Sequence, residues 1–207
     1  MGSTARLVST LKACAYVADN QIKGDFVEAG VWRGGHGILA GKVFQQDAAD
    51  RRIWMFDTFG GMTEPTVLDR ESNTGREALT TFVDAQRADH NDWCYSALSE
   101  VKANIEAAML KLDDFSFVVG DVAQTLLDEA NLPREIAVLR LDTDWYESTL
   151  IELETLYPRL SVGGVLILDD YGHWDGARIA VDEYFATLPF RPLLNVIDYS
   201  CRVAIKV

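Results

Sequence analysis

Short apolar runs, each closed by an acid, alternate along the chain with stretches whose apolar residues recur at helical spacing. The runs 24–30 (GDFVEAG), 52–57 (RIWMFD), 115–119 (FSFVV), 136–142 (IAVLRLD) and 165–170 (VLILDD) read as strands. Helical periods predict helices over 34–46, 95–112, 122–130, 147–160 and 176–187, with a shorter one over 77–87. Within 95–112, Leu98, Val101, Ile105, Met109 and Leu112 share one face, and Gly163–Gly164 are expected to stop the helix ending at 160. Residues 1–20 read as an amphipathic helix that packs through Leu7, Leu11, Cys14 and Ala18. The tail, 190–196 and 202–207, reads as a hairpin around Asp198–Tyr199. Residues 58–93 are polar and irregular, with Gly60, Gly61, Pro65 and Gly75, and a loop of that length is usually functional or disordered.

Near-continuous apolar strands alternating with helices imply a mostly parallel sheet covered on both faces. The expected architecture is one α/β domain over 1–207, a doubly wound seven-stranded sheet with an antiparallel C-terminal hairpin. Ligands of such sheets bind beyond the carboxyl ends of the strands. Five strands in succession end there in acids: Glu28, Asp57, Asp121, Asp142 and Asp169–Asp170.

The net charge of −13 over 207 residues makes nucleic acid a poor partner, since a negative field repels phosphates. The acid surplus serves either solubility or a local cluster that holds a cation. Cys14, Cys94 and Cys201 are too scattered for a disulfide framework or a zinc site, so a reducing cytoplasmic setting is expected. No run suits a membrane span, and Lys12 interrupts any signal-peptide core.

The first strand-to-helix turn carries Glu28, Gly30, Val31, Gly34 and Gly35. It lacks the G-x-G-x-x-G of pyrophosphate-binding turns, which argues against a nicotinamide oxidoreductase. An acid at Glu28 would repel pyrophosphate and suits the ammonium and sulfonium of S-adenosylmethionine. Asp57, followed by Thr58 and Phe59, stands where such folds place an acid on ribose hydroxyls. Asp121, followed by Val122, can accept from an adenine amino group. Taken singly, each of these acids is equally an ordinary turn or helix-capping residue.

A second group pairs Asp142-Thr143-Asp144-Trp145 with Asp169-Asp170-Tyr171. Carboxylates converging from two neighbouring strands repel one another unless a cation or protons intervene, and oxygen ligands select Mg²⁺, Mn²⁺ or Ca²⁺. A divalent cation acidifies and orients an alcohol, and a spare carboxylate can take its proton, which suits O-methylation. Helix capping by Asp144 and Asp170 is the alternative. Spacing alone does not separate a base from the ligands.

Residues 24–35 (GDFVEAGVWRGG), 53–61 (IWMFDTFGG), 138–148 (VLRLDTDWYES) and 157–171 (YPRLSVGGVLILDDY) resemble the macrocin O-methyltransferase family. The resemblance spans nearly the whole chain and is weakest over 62–93. It implies a Rossmann-like class I methyltransferase that uses S-adenosylmethionine and Mg²⁺ (or Mn²⁺) to methylate a hydroxyl of a sugar or other natural-product small molecule, with a glycosylated natural product as the expected partner. It also allows a homo-oligomer. Asp142, Asp169 and Asp170 match the family's metal ligands, and Asp144 its general base. Glu28 and Gly30 match the cofactor motif, and Asp57 the ribose-binding acid. Members carry a longer N-terminal segment that helps to cover the site, a role expected here of 58–93. Trp145, Tyr171 and His173 are candidate substrate contacts, His36 is structural or cofactor-adjacent, and Arg140 is expected to pair with a buried acid. A catechol-type O-methyltransferase and a non-catalytic relative are the competing readings.

Overall fold

The computed structural model describes residues 3–46 and 50–207, so Met1 and Gly2 of the expected first helix lie outside the described residues. Helix α1 (Thr4–Asp19) precedes β1 (Asp25–Ala29), α2 (Gly35–Phe44) and β2 (Ile53–Asp57). Then come α3 (Ala78–Ala85), α4 (Leu98–Ala107), β3 (Phe115–Val119), the single turn α5 (Val122–Thr125) and β4 (Ile136–Leu141). The chain closes with α6 (Tyr146–Leu156), β5 (Leu160–Leu168), α7 (Asp175–Ala186), β6 (Asn195–Val196) and β7 (Arg202–Ile205).

The strands pair in the order β3-β2-β1-β4-β5-β7-β6, the first five parallel and β7 antiparallel to both β5 and β6. This is the doubly wound sheet with an antiparallel C-terminal edge that the alternation implied. Strand β4 is buried at every position, which accounts for its unbroken apolar run apart from Arg140. One core layer packs Cys14 and Val17 of α1, Ala40 and Phe44 of α2, and Val101 and Ile105 of α4 against the sheet. The opposite layer uses Leu126, Leu153 and Leu156, with Val181 and Phe185 of α7.

Four details depart from the sequence reading. Helix α1 buries Arg6, Thr10, Ala13, Cys14 and Val17, while Leu7 and Leu11 face solvent at 37% and 41% exposure. The helix is rotated because Arg6 ion-pairs with acids at the strand ends and Thr10 bonds His36. Helix α4 ends at Ala107, leaving Met109 exposed at a left-handed φ of 57° and Leu110 buried in its place. The helix expected over 122–130 breaks after Thr125, because Asp128 starts a separate turn by accepting from Ala130 N. Gly163 and Gly164 lie inside β5, which begins at Leu160 by pairing with Ile136, so α6 stops at Leu156.

Gly24 adopts φ +112°, and a Cβ there would stand 2.6 Å from the Ile136 carbonyl carbon, where the chain enters β1 beside β4. Gly75 at φ +70° has open space around it. Gly24→Ala should therefore cost roughly 3 kcal/mol, against about 1 kcal/mol for Gly75→Ala. In thermal melts this is a fall of roughly 6–12 °C against roughly 2–4 °C. Equal losses would mean that the β1–β4 approach is looser than described.

Candidate active site

Beyond the carboxyl ends of β1, β2, β4 and β5 lies one cavity of about 920 Å³, at the place where the strand order reverses between β1 and β4. Glu28, Gly30, Val31, Gly35, His36 and Asp57 line one side, and Asp142, Asp144, Asp169 and Asp170 the other. Gly30, at φ +81°, lets the ends of β1 and β4 meet, since a Cβ there would lie 2.0 Å from the Asp142 carbonyl oxygen.

Arg140 joins the two sides. Buried at 1% exposure, its Nη1 donates to Glu28 Oε1 at 2.9 Å and sits 2.8 Å from Asp142 Oδ2, while Nη2 donates to Asp169 Oδ1 at 2.6 Å. It is paired with buried acids, as expected. Glu28 also accepts from Gly37 N at 3.1 Å, and burial lifts its carboxyl to about 7 against the pull of Arg140. Arg6 reaches in from α1 and ion-pairs with Asp169 and, at 2.9 Å, with Asp198. Burial opposes the charge on Asp169, yet Arg140 and Arg6 hold its carboxyl below the usual carboxylate range.

Asp142, Asp144 and Asp170 each offer an oxygen within 4.8 Å of the others. Burial, then the charge of Asp142, raises Asp144 to about 7, and burial with the charges of Asp144 and Asp169 raises Asp170 well above its ordinary value. Asp170 Oδ2 is buried without a hydrogen-bond partner among the described residues. A crowd of raised carboxyls with an orphaned oxygen fits a divalent cation. The grouping differs from the set read in the sequence. Asp144 stands with Asp142 and Asp170, whereas Asp169 gives both oxygens to guanidiniums.

On the glycine-turn side, Asp57 accepts from the backbone N–H groups of Val31 (2.7 Å), Trp32 (3.1 Å) and Phe59 (2.7 Å). It thereby fastens the turn to β2. His36 lines the cavity, bonded at Nδ1 to Thr10 (2.8 Å), and burial keeps its ring neutral with a pKa near 3. His173 lines it too, edge-on to Trp174 and Tyr199.

Other candidates lie elsewhere. Asp121 caps α5 through Ala123 N at 2.9 Å, Val122 and Phe59 are core, and Gly34 packs near Val101. Thr58 bonds the Gly61 carbonyl at 2.6 Å, and Tyr171 donates to Asp182 at 2.9 Å. Neither belongs to the cavity lining. Trp145 is buried in a cluster with Trp93 and Trp174, and it is those two that face the cavity. The sequence reading missed Arg6, Trp93 and Trp174. Thr10 and Arg6 lie one turn apart on α1, but both are polar and an apolar pattern passes over them.

Residues 1–205 match the macrocin-O-methyltransferase (TylF) family. An 8-demethyl-8-(2,3-dimethoxy-alpha-L-rhamnosyl)-tetracenomycin-C 4'-O-methyltransferase of Streptomyces olivaceus is 39% identical over 165 residues, 79% of this chain and 58% of that protein. Demethyldecarbamoylnovobiocin O-methyltransferase of Streptomyces niveus is 35% identical over 197 residues, 93% of this chain and 70% of that one. The chain thus spans 58% to 70% of the length of these relatives. The solved structure of the O-methyltransferase NovP superposes with a TM-score of 0.81 at 32% identity, covering 98% of this chain and 79% of that one. Fold, site and sequence agree: this chain belongs to the macrocin-O-methyltransferase (TylF) family.

Proposed function

We propose that the chain is an O-methyltransferase that uses S-adenosylmethionine and Mg²⁺ or Mn²⁺ to methylate a hydroxyl on the sugar of a natural product. The observation that carries this reading is the sharing of one cavity by a glycine turn backed by Glu28 and Asp57 and by the Asp142/Asp144/Asp170 cluster. The sugar acceptor rests on the relatives, whose names place them on rhamnosyl-tetracenomycin and novobiocin precursors.

In this reading the turn from Gly30 to Gly35 brings backbone close to the cofactor, with Glu28 facing its cationic end and Asp57 its ribose. Asp142 and Asp170 hold the cation, and Asp144 beside them is the base. A bound divalent cation lowers the pKa of an alcohol and orients it, and bound S-adenosylmethionine supplies the methyl group. Asp144 accepts the hydroxyl proton as the oxygen–carbon bond forms and the carbon–sulfur bond breaks, leaving a methyl ether and S-adenosylhomocysteine. Neutral Trp93 and His173 wall the acceptor side, and alignment of oxygen with sulfonium contributes much of the rate. Gly61, Met62, Glu71, Arg76, Thr81 and Trp93 bring the 58–93 segment into the cavity wall, where it covers the site and selects the acceptor.

Radiolabelled methyl transfer to a panel of deoxysugar glycosides, beginning with demethyldecarbamoylnovobiocin and with catechol as the contrast, tests the reaction. Label should reach the sugars; transfer to catechol alone would overturn the acceptor class. Asp144→Asn should lower kcat by roughly 10²–10⁴-fold while S-adenosylhomocysteine affinity in calorimetry stays within about twofold. A fully active variant removes the base assignment. Excess EDTA should stop turnover and added Mg²⁺ or Mn²⁺ restore it; turnover that ignores the chelator contradicts the cation.

A further inference from the structure

Next to the acid cluster, the indole of Trp174 donates from Nε1 to Asp144 Oδ1 at 3.0 Å. We propose that Trp174 is a positioning residue for Asp144, aiming the base by occupying one of its two oxygens, and that residues 69–72 hold the indole in place. The proposal rests on the reading of Asp144 as the base.

Asp144 needs such a partner. Its backbone sits at φ +70°, a left-handed conformation uncommon for a residue with a side chain, in the tight turn closed by Trp145 N donating to Thr143 O at 2.8 Å. The turn brings the carboxylate to the cavity, and the indole N–H then selects which oxygen remains for a substrate proton. A hydrogen bond from a rigid, buried donor restricts rotation of the carboxylate, and such restriction contributes to rate when a base must meet a proton at one geometry.

Trp174 is itself immobilised. It is 4% exposed, with ring centroids 5.0 Å from Trp145 and 5.9 Å from Trp93. Its backbone pairs with Glu71, while Ser72 N donates to His173 O at 2.8 Å and Asp175 N donates to Arg70 O at 2.9 Å. The same stretch grips the base loop directly. Asp69, fully buried, accepts from Tyr146 N at 2.8 Å, two residues beyond Asp144. The segment that walls the acceptor side is therefore bonded to both loops that define the direction of the base.

Labelling with [indole-¹⁵N]tryptophan gives one resonance for each of the five tryptophans, and Trp174→Phe, which keeps a ring in the cluster, identifies the one from Trp174. Asp144→Ala leaves Trp174 in place and should shift that resonance upfield, by more than any of the other four. An unmoved resonance overturns the proposal without reference to activity. In turnover, with the acceptor found in the panel above, Trp174→Phe should lower kcat on the order of 10- to 100-fold, the worth of a hydrogen bond to a charged group. KM for S-adenosylmethionine should stay within about twofold. Added to Asp144→Asn, Trp174→Phe should cost nothing further, because it acts through that carboxylate; an additional loss would assign it a merely structural role. An inactive Asp144→Asn beside a fully active Trp174→Phe defeats the positioning alone, whereas an active Asp144→Asn defeats the base reading itself.

Discussion

The guanidinium of Arg140, buried in the central strand, spreads across Glu28, Asp142 and Asp169, and the rest of the site is arranged around it. Moving a charge into the interior costs several kcal/mol unless it is paired and hydrogen-bonded. Arg140 meets three acids supplied by three parallel strands, so the acids compensate the arginine and the arginine makes their convergence tolerable. Asp169 needs more than this one partner, and Arg6 from α1 provides it. The first helix is thus docked by the chemistry of the strand ends as well as by its apolar face.

The acids that Arg140 does not touch, Asp144 and Asp170, lie beside Asp142 at the same cavity. Asp144 and Asp170 carry raised carboxyls because burial and then the charge of a neighbouring acid, Asp142 for Asp144 and Asp144 for Asp170, disfavour ionisation, and Asp170 keeps an oxygen without a hydrogen-bond partner among the described residues. Such a site binds a cation or a proton more readily than an exposed carboxylate does. On the opposite side, Glu28 and Asp57 secure the glycine turn, so the glycine-turn side and the acid side face each other across one cavity. The topology supplies this proximity, because β1 and β4 are neighbours at the reversal of strand order and Gly30 permits their close approach.

Most of this arrangement was legible in the sequence for a simple reason. Strands buried on both faces must be apolar, and a charged residue at their ends then stands out, so 24–30, 52–57, 115–119 and 136–142 were found with their acids. Pairing of Arg140 with an acid was legible on the same ground, as a lone charge in an apolar run. What escaped depended on distant partners. The rotation of α1 follows from Arg6 meeting Asp169 and Asp198, 163 and 192 residues away. Trp145 and Trp174 look alike along the chain, and only packing decides that one is core while the other faces the cavity. Asp121 was ambiguous between ligand and cap, and one of its oxygens caps α5 through Ala123 N. The ion pairing of both Asp169 oxygens likewise depends on two arginines from different elements.

The central claim, that the acid cluster and the glycine turn form one site for a cation and a nucleoside cofactor, is tested most directly by crystals grown with Mn²⁺ and S-adenosylhomocysteine. Anomalous scattering should place manganese on Asp142 and Asp170, with Asp144 beside it, and S-adenosylhomocysteine between the Gly30 turn and Asp57. Manganese bound away from those carboxylates, or S-adenosylhomocysteine bound outside this cavity, would contradict it.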